Sequence, residues 1–241
     1  MRETESDSDS EPPMAATLPR LTLVSVAGPK QARSQRTLAR LLDAAEALIA
    51  ERGLEGLSIP AVARSARSSV GGFYARFTDK AALLRALEER FFQQVFMRLE
   101  ALVDRRRWAT AAPADFVRAA VCELVCVVEE KHQLLKAFTF RASQDPRILD
   151  DAIVFRRQVA ERIAPMLLGQ TLTHPHPALA VDLGIQAAFA LMQQHVVFEG
   201  TWAGGHLLSR AELEDEISLL FMRYVGIDPA PPRTRRTSAS S

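Results

Sequence analysis

Residues 57–80 read LSIPAVARSARSSVGGFYARFTDK and predict two short helices joined by a tight turn. Ser58 can cap the first helix, and Pro60 lies in its first turn, where a missing N–H is tolerated. Apolar residues then recur at helical spacing. Ser69 can cap the second helix, which we expect over residues 70–77. A compact helix pair of this size is typical of motifs that enter the major groove of DNA.

Residues in and just beyond this stretch also follow a longer pattern, roughly T-T-V-x-x-I-A-x-x-A-G-V-S-x-G-T-L-Y-x-Y-F-x-x-K-x-x-L. The positions that match it or replace it conservatively are Ser58, Ile59, Val62, Ala63, Ala66, Ser69, Gly71, Phe73, Tyr74, Phe77, Lys80 and Leu83. On these residues the chain resembles the tetracycline-repressor (TetR) family of bacterial transcription regulators. The resemblance covers residues 36–87, and the remainder is similar to the family only in length and helical character.

Three positions depart from the family pattern. Arg67 and Ser68 occupy the turn where the family usually has Gly-Val, and Arg76 replaces a Tyr that commonly contacts phosphate. We expect Arg67 to adopt a left-handed backbone conformation at a cost of about 1 kcal/mol, because its Cβ crowds the following carbonyl there. Ser68 loses an apolar contact, and Arg76 exchanges an aromatic hydroxyl for a cation.

Composition limits the class of protein. The chain has 241 residues, is 48% hydrophobic and carries a net charge of +1, so any affinity for nucleic acid must come from a local patch. No stretch approaches the roughly 20 apolar residues that span a bilayer. Cys122 and Cys126 lie one helical turn apart, which is a poor geometry for a disulfide. We therefore predict a cytoplasmic protein without a membrane partner.

Apolar residues recur at helical spacing along most of the chain, and no segment predicts a strand. The predicted fold is all-α, with an N-terminal three-helix head that contains a helix-turn-helix and a helical ligand-binding and dimerisation domain after it. We place the head at residues 33–79 and the second domain at residues 80–226. The acidic residues 1–32 and the basic residues 227–241 predict disordered tails.

The second helix of the pair suits close contact with DNA. Gly71 and Gly72 each cost about 1 kcal/mol of helix propensity, which is tolerable where the backbone must approach phosphate or the groove floor. Lys80 lies at a helix start, where a cation opposes the helix dipole unless it faces phosphate. The candidates for contact with base edges are Arg67, Ser69 and Val70. The full set of predicted DNA contacts is Arg36, Ser58, Arg67, Ser68, Ser69, Val70, Gly71, Gly72, Tyr74, Arg76 and Lys80.

These features also have plainer structural interpretations. Lys30, Arg33 and Arg36 form a basic arm before the first helix, which either touches phosphate or is a solvated tail. The two glycines could belong to a loosely packed surface turn. Tyr74 could present its hydroxyl to phosphate or be half-buried packing.

A dimer is expected because one small head buries too little surface for tight binding, whereas a two-fold dimer reads both half-sites of a palindromic operator. The helices expected at residues 178–199 and 209–225 are apolar and carry small residues that permit close crossing. We predict that they form a homodimer through a four-helix bundle, as the resemblance implies. A monomer would have to bury the same surface internally.

The resemblance also implies that the second domain binds a small-molecule effector. The apolar residues proposed to line its pocket are Phe91, Phe116, Phe138, Phe155, Phe189 and Met192. The proposed polar contacts are Arg141, Gln193 or His195. Each of these residues taken singly could equally be core. The predominance of apolar candidates favours a hydrophobic or amphipathic effector.

Enzyme chemistry is not indicated. The sequence has no G-x-S-x-G elbow, phosphate-binding loop, dinucleotide fingerprint or H-E-x-x-H helix. His174 and His176 lack a third ligand at suitable spacing, so we expect neither a metal nor a cofactor. The sequence therefore predicts a DNA-binding regulator, most simply a repressor. Two alternatives stay open: an activator, and a helical small-molecule-binding or catalytic protein whose head no longer reads DNA because of Arg67 and Ser68.

Overall fold

The computed structural model describes residues 29–170, 172–200 and 204–229. Across these ranges the chain forms α-helices and two short 3-10 helices but no strand, which confirms the predicted all-α class. The α-helices are α1 (Pro29–Arg52), α2 (Ile59–Ser65), α3 (Val70–Tyr74), α4 (Lys80–Leu102), α5 (Pro113–Glu130), α6 (His132–Ala142), α7 (Pro146–Leu168), α8 (Pro177–Val197) and α9 (Arg210–Val225). None of these helices is both long and apolar enough to cross a bilayer.

Helices α1 to α3 form the head, which has its own apolar core. Gly53 ends α1 with a φ of 67°, a backbone conformation that glycine adopts readily. The 3-10 helix Leu54–Gly56 then leads to Ser58, whose Oγ accepts a hydrogen bond from the Ala61 N–H and caps α2. The buried residues of the head core include Leu41, Ala45, Leu48, Ile49, Leu57, Val62, Phe73 and Phe77.

Helix α4 extends from the head into the second domain. Asp79 caps it, because its Oδ1 accepts a hydrogen bond from the Ala82 N–H at 2.6 Å. Near the start of α4, Leu83 and Leu87 are buried in the head core. Near its end, Leu99 is buried in the core of the second domain. One continuous helix therefore takes part in both cores.

The second domain comprises the rest of α4 and helices α5 to α9, with α8 packed against both α7 and α9. At Gly184 of α8, an added Cβ would lie 2.8 Å from the ring of Phe221 on α9, so a larger residue would force this ring to shift. Gly184 and Ala188 are buried within the subunit. The small residues therefore serve a crossing inside one chain, which corrects the predicted role for them between two copies. The outer face of α8 instead presents Leu179 and Leu183.

Two details of the predicted boundaries differ in the structure. Helix α1 begins at Pro29, so the predicted basic arm, Arg36 included, forms the first turns of a helix. Ile227, which the sequence assigned to the C-terminal tail, is buried in the core of the second domain. Of the predicted tails, at residues 1–32 and 227–241, the parts at 1–28 and 230–241 lie outside the described residues.

Charged side chains connect the head to the second domain. Glu46 of α1 forms ion pairs with Arg90 of α4 and with Lys131, the residue between α5 and α6. Arg90 also pairs with Asp43 of α1. Helix α6 packs against the 3-10 helix Leu54–Gly56 of the head. The position of the head is therefore tied to the positions of α4 and α6.

Candidate functional site

Helix α3 is anchored on one side and open on the other. Its N-cap is Ser69, whose Oγ accepts a hydrogen bond from the Gly72 N–H at 2.9 Å. Phe73 is fully buried and packs against Phe77 with ring centroids 5.3 Å apart. In contrast, Val70 and Tyr74 are 43% and 55% exposed. The helix is shorter than the predicted residues 70–77, but its outer face is available to a partner.

The turn before α3 has the conformation expected from its sequence. Arg67 has a φ of 50°, the left-handed conformation predicted for a residue in place of glycine. The Ser68 N–H donates to the Ala63 carbonyl at 2.8 Å and closes the end of α2. The Arg67 side chain is exposed, so the departure from the family pattern is accommodated and leaves a cation beside α3.

The two glycines of α3 have different environments. A Cβ on Gly71 would meet only Ser69 Oγ, at an ordinary contact distance of 3.8 Å. A Cβ on Gly72 would lie 2.5 Å from Ser68 Oγ, so Ser68 would have to move. Packing within the subunit thus accounts for glycine at position 72 but not at position 71.

The predicted cations Arg76 and Lys80 are half-buried and make contacts within the head. Arg76 Nη1 donates to the Gly72 carbonyl at 3.4 Å. Lys80 Nζ donates to the Leu54 carbonyl at 3.3 Å, which supplies an internal reason for a cation at the start of α4. The predicted DNA contacts that are exposed are Arg36, Ser58, Arg67, Ser69, Val70, Gly71 and Tyr74. Those that are half-buried are Ser68, Gly72, Arg76 and Lys80.

The second domain contains a cavity of about 310 Å³, within the size range of small-molecule sites. Helices α4 to α9 all contribute to its wall, and most of the lining is apolar. Of the residues proposed from the sequence, those that line it are Phe91, Phe116, Phe138, Phe155, Phe189, Met192 and Gln193. Phe92 and Phe155 stack with their ring centroids 4.3 Å apart, so part of the wall is a packed aromatic cluster.

Two polar residues proposed from the sequence do not line the cavity: Arg141 and His195. His195 is half-buried in the last turn of α8, where burial lowers its pKa. Arg141 is half-buried on α6, and burial lowers the pKa of its guanidinium. Helical spacing alone does not fix which face of a helix meets the cavity, so the sequence could not determine whether these two residues line it.

The sequence analysis missed Glu88, the most deeply buried charged residue that lines the cavity. Its exposed fraction is 5%, and burial raises its pKa from an ordinary 4.5 to about 7, with the charge of Arg141 acting in the opposite direction. A sequence signal was present, because Glu88 follows Leu84 by four positions and so lies on the buried stripe of α4. The cavity therefore has a deeply buried carboxyl group, that of Glu88, in a largely apolar wall.

Comparison with known proteins relates the head to one family. Residues 41–87 match the family model described as "Bacterial regulatory proteins, tetR family". This match covers most of the head and the start of α4. No curated protein matches the sequence of the chain significantly.

Solved structures extend the similarity beyond the head. A TetR-family transcriptional regulator from Mesorhizobium loti MAFF303099 has a TM-score of 0.65 and 21% identity, with 81% of this chain and 99% of that one covered. A transcriptional regulator from Rhodococcus sp. Rha1 has a TM-score of 0.61 and 21% identity, with coverages of 81% and 99%. FadR from Bacillus subtilis, in complex with stearoyl-CoA, has a TM-score of 0.57 and 15% identity, with coverages of 80% and 98%. Identities this low establish similarity of fold alone.

Proposed function

We propose that this chain, whose residues 41–87 match the model of the TetR family of bacterial transcription regulators, represses transcription by binding a palindromic DNA operator as a homodimer. A small hydrophobic or amphipathic ligand then releases it from DNA. The observation that best supports sequence-specific DNA binding is the exposed face of α3. Val70, Gly71 and Tyr74 face solvent on a helix that Phe73 anchors from behind. A short helix held in this way has a face suited to the major groove.

The residues proposed to contact DNA divide by chemistry into base contacts and phosphate contacts. The guanidinium of Arg67 suits guanine, and the methyl groups of Val70 suit a thymine methyl. The Tyr74 hydroxyl and the cations Arg76 and Lys80 suit phosphate. The other members of the proposed contact set are Arg36, Ser58, Ser68, Ser69, Gly71 and Gly72.

Ligand response requires a physical connection between the cavity and the head. Phe91 of α4 and Phe138 of α6 line the cavity and also pack in the cluster that continues from the head core. Their ring centroids are 5.9 Å apart. A ligand that displaces either ring changes the support of the head, and it releases DNA if it favours a head position that fits the operator poorly.

The proposed function is tested by incubating the purified protein with fragments of its own genome and sequencing those it retains. We expect a palindromic site with two half-sites, bound less tightly as salt concentration rises, because phosphate contacts release counterions. Retention of no specific fragment would support the alternative of a ligand-binding protein whose head does not read DNA. Reporter transcription from the selected site would separate a repressor from an activator.

Variants of Val70 and Tyr74 should affect different properties of DNA binding. Val70→Ala is expected to change base preference at one position of each half-site, whereas Tyr74→Phe should weaken binding to all sequences by a similar factor. Tyr74→Phe tests a phosphate contact more directly than Lys80→Ala, because the Lys80 ammonium also bonds the Leu54 carbonyl. Binding to a library of operator variants measures both effects. An unchanged base preference in Val70→Ala would contradict its role.

Gly71→Ala should raise stability and lower DNA affinity. Alanine is favoured over glycine in a helix by about 1 kcal/mol, and the added Cβ meets no close neighbour in the subunit. On DNA, the same methyl group would prevent close approach of the backbone to the groove. Urea unfolding and operator titration measure the two effects. DNA affinity equal to that of the unmodified protein would contradict the proposed close approach.

The exposed apolar residues of α8 and α9 support the homodimer part of the proposal. Leu179 and Leu183 of α8 are 59% and 50% exposed, and Leu220 and Tyr224 of α9 are 49% and 37% exposed. The proposed partner is a second copy of this chain, which would cover both helices in a four-helix bundle. The two heads could then reach successive major grooves on one side of the duplex.

Leu183→Arg is expected to produce monomers. Operator binding should then weaken by about 10²-fold, because the second head is no longer linked to the first when it binds its half-site. Met97→Arg is the matched control, since Met97 is an exposed apolar residue on α4. Analytical ultracentrifugation and operator titration measure the two properties. A dimer of unchanged stability in Leu183→Arg would exclude this surface as the interface.

A further inference from the structure

Glu88 differs from the other buried polar residue identified among the described residues. Ser218 is 1% exposed, and its hydroxyl donates to the Glu214 carbonyl at 2.6 Å. Glu88 is 5% exposed, and among the described residues its carboxyl takes part in no hydrogen bond and no ion pair. A buried carboxyl without a partner is costly, so its place on the cavity wall calls for a functional reason.

The carboxyl group of Glu88 is accessible from the cavity. Its oxygens lack a hydrogen bond among the described residues, yet neither oxygen is fully enclosed by protein atoms. The open space that Glu88 borders is the cavity, because Glu88 belongs to its lining and is otherwise buried. A molecule bound in the cavity can therefore reach this carboxyl group.

Aromatic rings lie beside Glu88 on the same face of α4. Phe91 and Phe92 follow it by three and four positions, one helical turn further along, and both line the cavity. The ring of Phe155 stacks on Phe92 with centroids 4.3 Å apart and lies 6.2 Å from that of Phe91. The faces of aromatic rings attract cations, because their π-electrons form a negative surface. The carboxyl group and the rings therefore both favour a cation at this part of the wall.

No cation of the described residues pairs with Glu88. Within that part of the chain the cations of the lining are Arg98, which forms an ion pair with another glutamate at 3.2 Å, and Arg156, which forms none with Glu88. Arg141 of α6 lies outside the lining, and its effect on the pKa of Glu88 is opposed by that of Asp151 of α7. The position of a cation at Glu88 is thus available to a ligand.

We propose that the effector is an apolar molecule with one ammonium group, which pairs with the carboxylate of Glu88 beside the rings of Phe91 and Phe92. An ammonium group donates hydrogen bonds to the carboxylate and carries the charge that the carboxylate and the rings attract. A hydroxyl group donates one hydrogen bond but has no charge, and a carboxylate is repelled by Glu88. The apolar part of the molecule fills the rest of the cavity.

The cavity limits the size of this molecule. At about 30 Å³ for each non-hydrogen atom, the share that one water molecule takes in the liquid, 310 Å³ holds roughly ten such atoms. Suitable probes of matched length are nonylamine, 1-nonanol and nonanoate. They share one apolar chain and differ only in the polar group.

The experiment is calorimetric titration of the full-length protein with each probe at pH 8. This pH is above the pKa of about 7 that burial gives Glu88, so its carboxyl is ionised, whereas an alkylammonium group stays charged as that of lysine does. We expect nonylamine to bind about tenfold more tightly than 1-nonanol, and nonanoate to bind least tightly, because only nonylamine forms a charge-assisted hydrogen bond with the carboxylate. Tightest binding of 1-nonanol, tightest binding of nonanoate, equal binding of all three or binding of none would each overturn the inference.

Titration at pH 6 tests whether the ammonium group pairs with a carboxylate. The carboxyl of Glu88 is mostly protonated at this pH in the unliganded protein, so nonylamine should bind about tenfold less tightly than at pH 8. The affinity of 1-nonanol should change far less, because the alcohol is uncharged. Nonylamine affinity that is the same at both pH values would contradict the ion pair.

A variant of Glu88 identifies the carboxyl group responsible. Glu88→Gln should weaken nonylamine binding about tenfold and remove its pH dependence, because the amide has a similar size but no charge. Retained binding of 1-nonanol by this variant shows that the cavity is intact. Glu123→Gln is the matched control, because Glu123 lines the same cavity but pairs with Arg98, and it should bind all three probes as the unmodified protein does. Unchanged nonylamine affinity in Glu88→Gln would overturn the inference.

This inference rests on the proposed function of the cavity as an effector site, yet the two can fail separately. DNA binding by the unliganded protein is measured without any probe. Specific DNA binding without selectivity for the ammonium group refutes only the inference. Selectivity for the ammonium group without specific DNA binding refutes the proposed function and leaves the ligand class intact.

Discussion

Phe73→Ala is expected to destabilise the head by about 3–5 kcal/mol and to abolish specific DNA binding. The Phe73 ring is fully buried, and it contacts Tyr74 and Phe77 with ring centroids 5.6 Å and 5.3 Å away. Removing a buried ring of this size loses its burial energy and leaves a cavity. Helix α3 has only five residues and is far too short to be stable alone, so it depends on this anchor.

Urea unfolding followed by circular dichroism, together with operator titration, measures this effect. Val70→Ala is the matched control, because Val70 precedes Phe73 on the same helix but is 43% exposed, and it should change stability by less than about 0.5 kcal/mol. Operator binding by Phe73→Ala at the level of the unmodified protein would show that α3 does not need this anchor to read DNA.

Local features of the head could be predicted because their causes lie within a few residues. Ser58 and Ser69 cap helices as expected, since a hydroxyl can reach a free N–H only at a helix start. The left-handed conformation of Arg67 follows from its place in a turn that usually contains glycine. The apolar stripes of α1 and α4 also lie in the cores as predicted.

Features that depend on which helices meet could not be predicted in the same way. The small residues Gly184 and Ala188 indicated a close crossing, but not that α9 of the same chain is the partner. Arg141 and His195 lie on helices that border the cavity, yet neither residue is part of its lining. Glu88 was missed because only apolar residues were used to define the stripe of α4.

Glu88→Gln is expected to stabilise the protein at pH 8 and to have little effect at pH 4.5. Burial raises the pKa of Glu88 from 4.5 to about 7 in the folded protein. Below pH 4.5 the carboxyl is neutral in both the folded and unfolded states, so the pKa shift does not penalise folding. As the pH rises from 4.5 to 7, the unfolded chain ionises first and stability falls; above pH 7 the loss is complete.

A shift of this size corresponds to about 3 kcal/mol, which the uncharged amide should recover at pH 8. The measurement is the difference in free energy of unfolding between Glu88→Gln and the unmodified protein from pH 4.5 to 8. Glu123→Gln should show no such gain, because Glu123 is partly exposed and pairs with Arg98. A difference that does not grow with pH would mean that Glu88 reaches solvent or a donor when ionised. A gain in the free energy of unfolding that is confined to high pH would show instead that the buried carboxyl of Glu88 lowers the stability of the fold. Such a cost is expected where a group serves a ligand rather than the core.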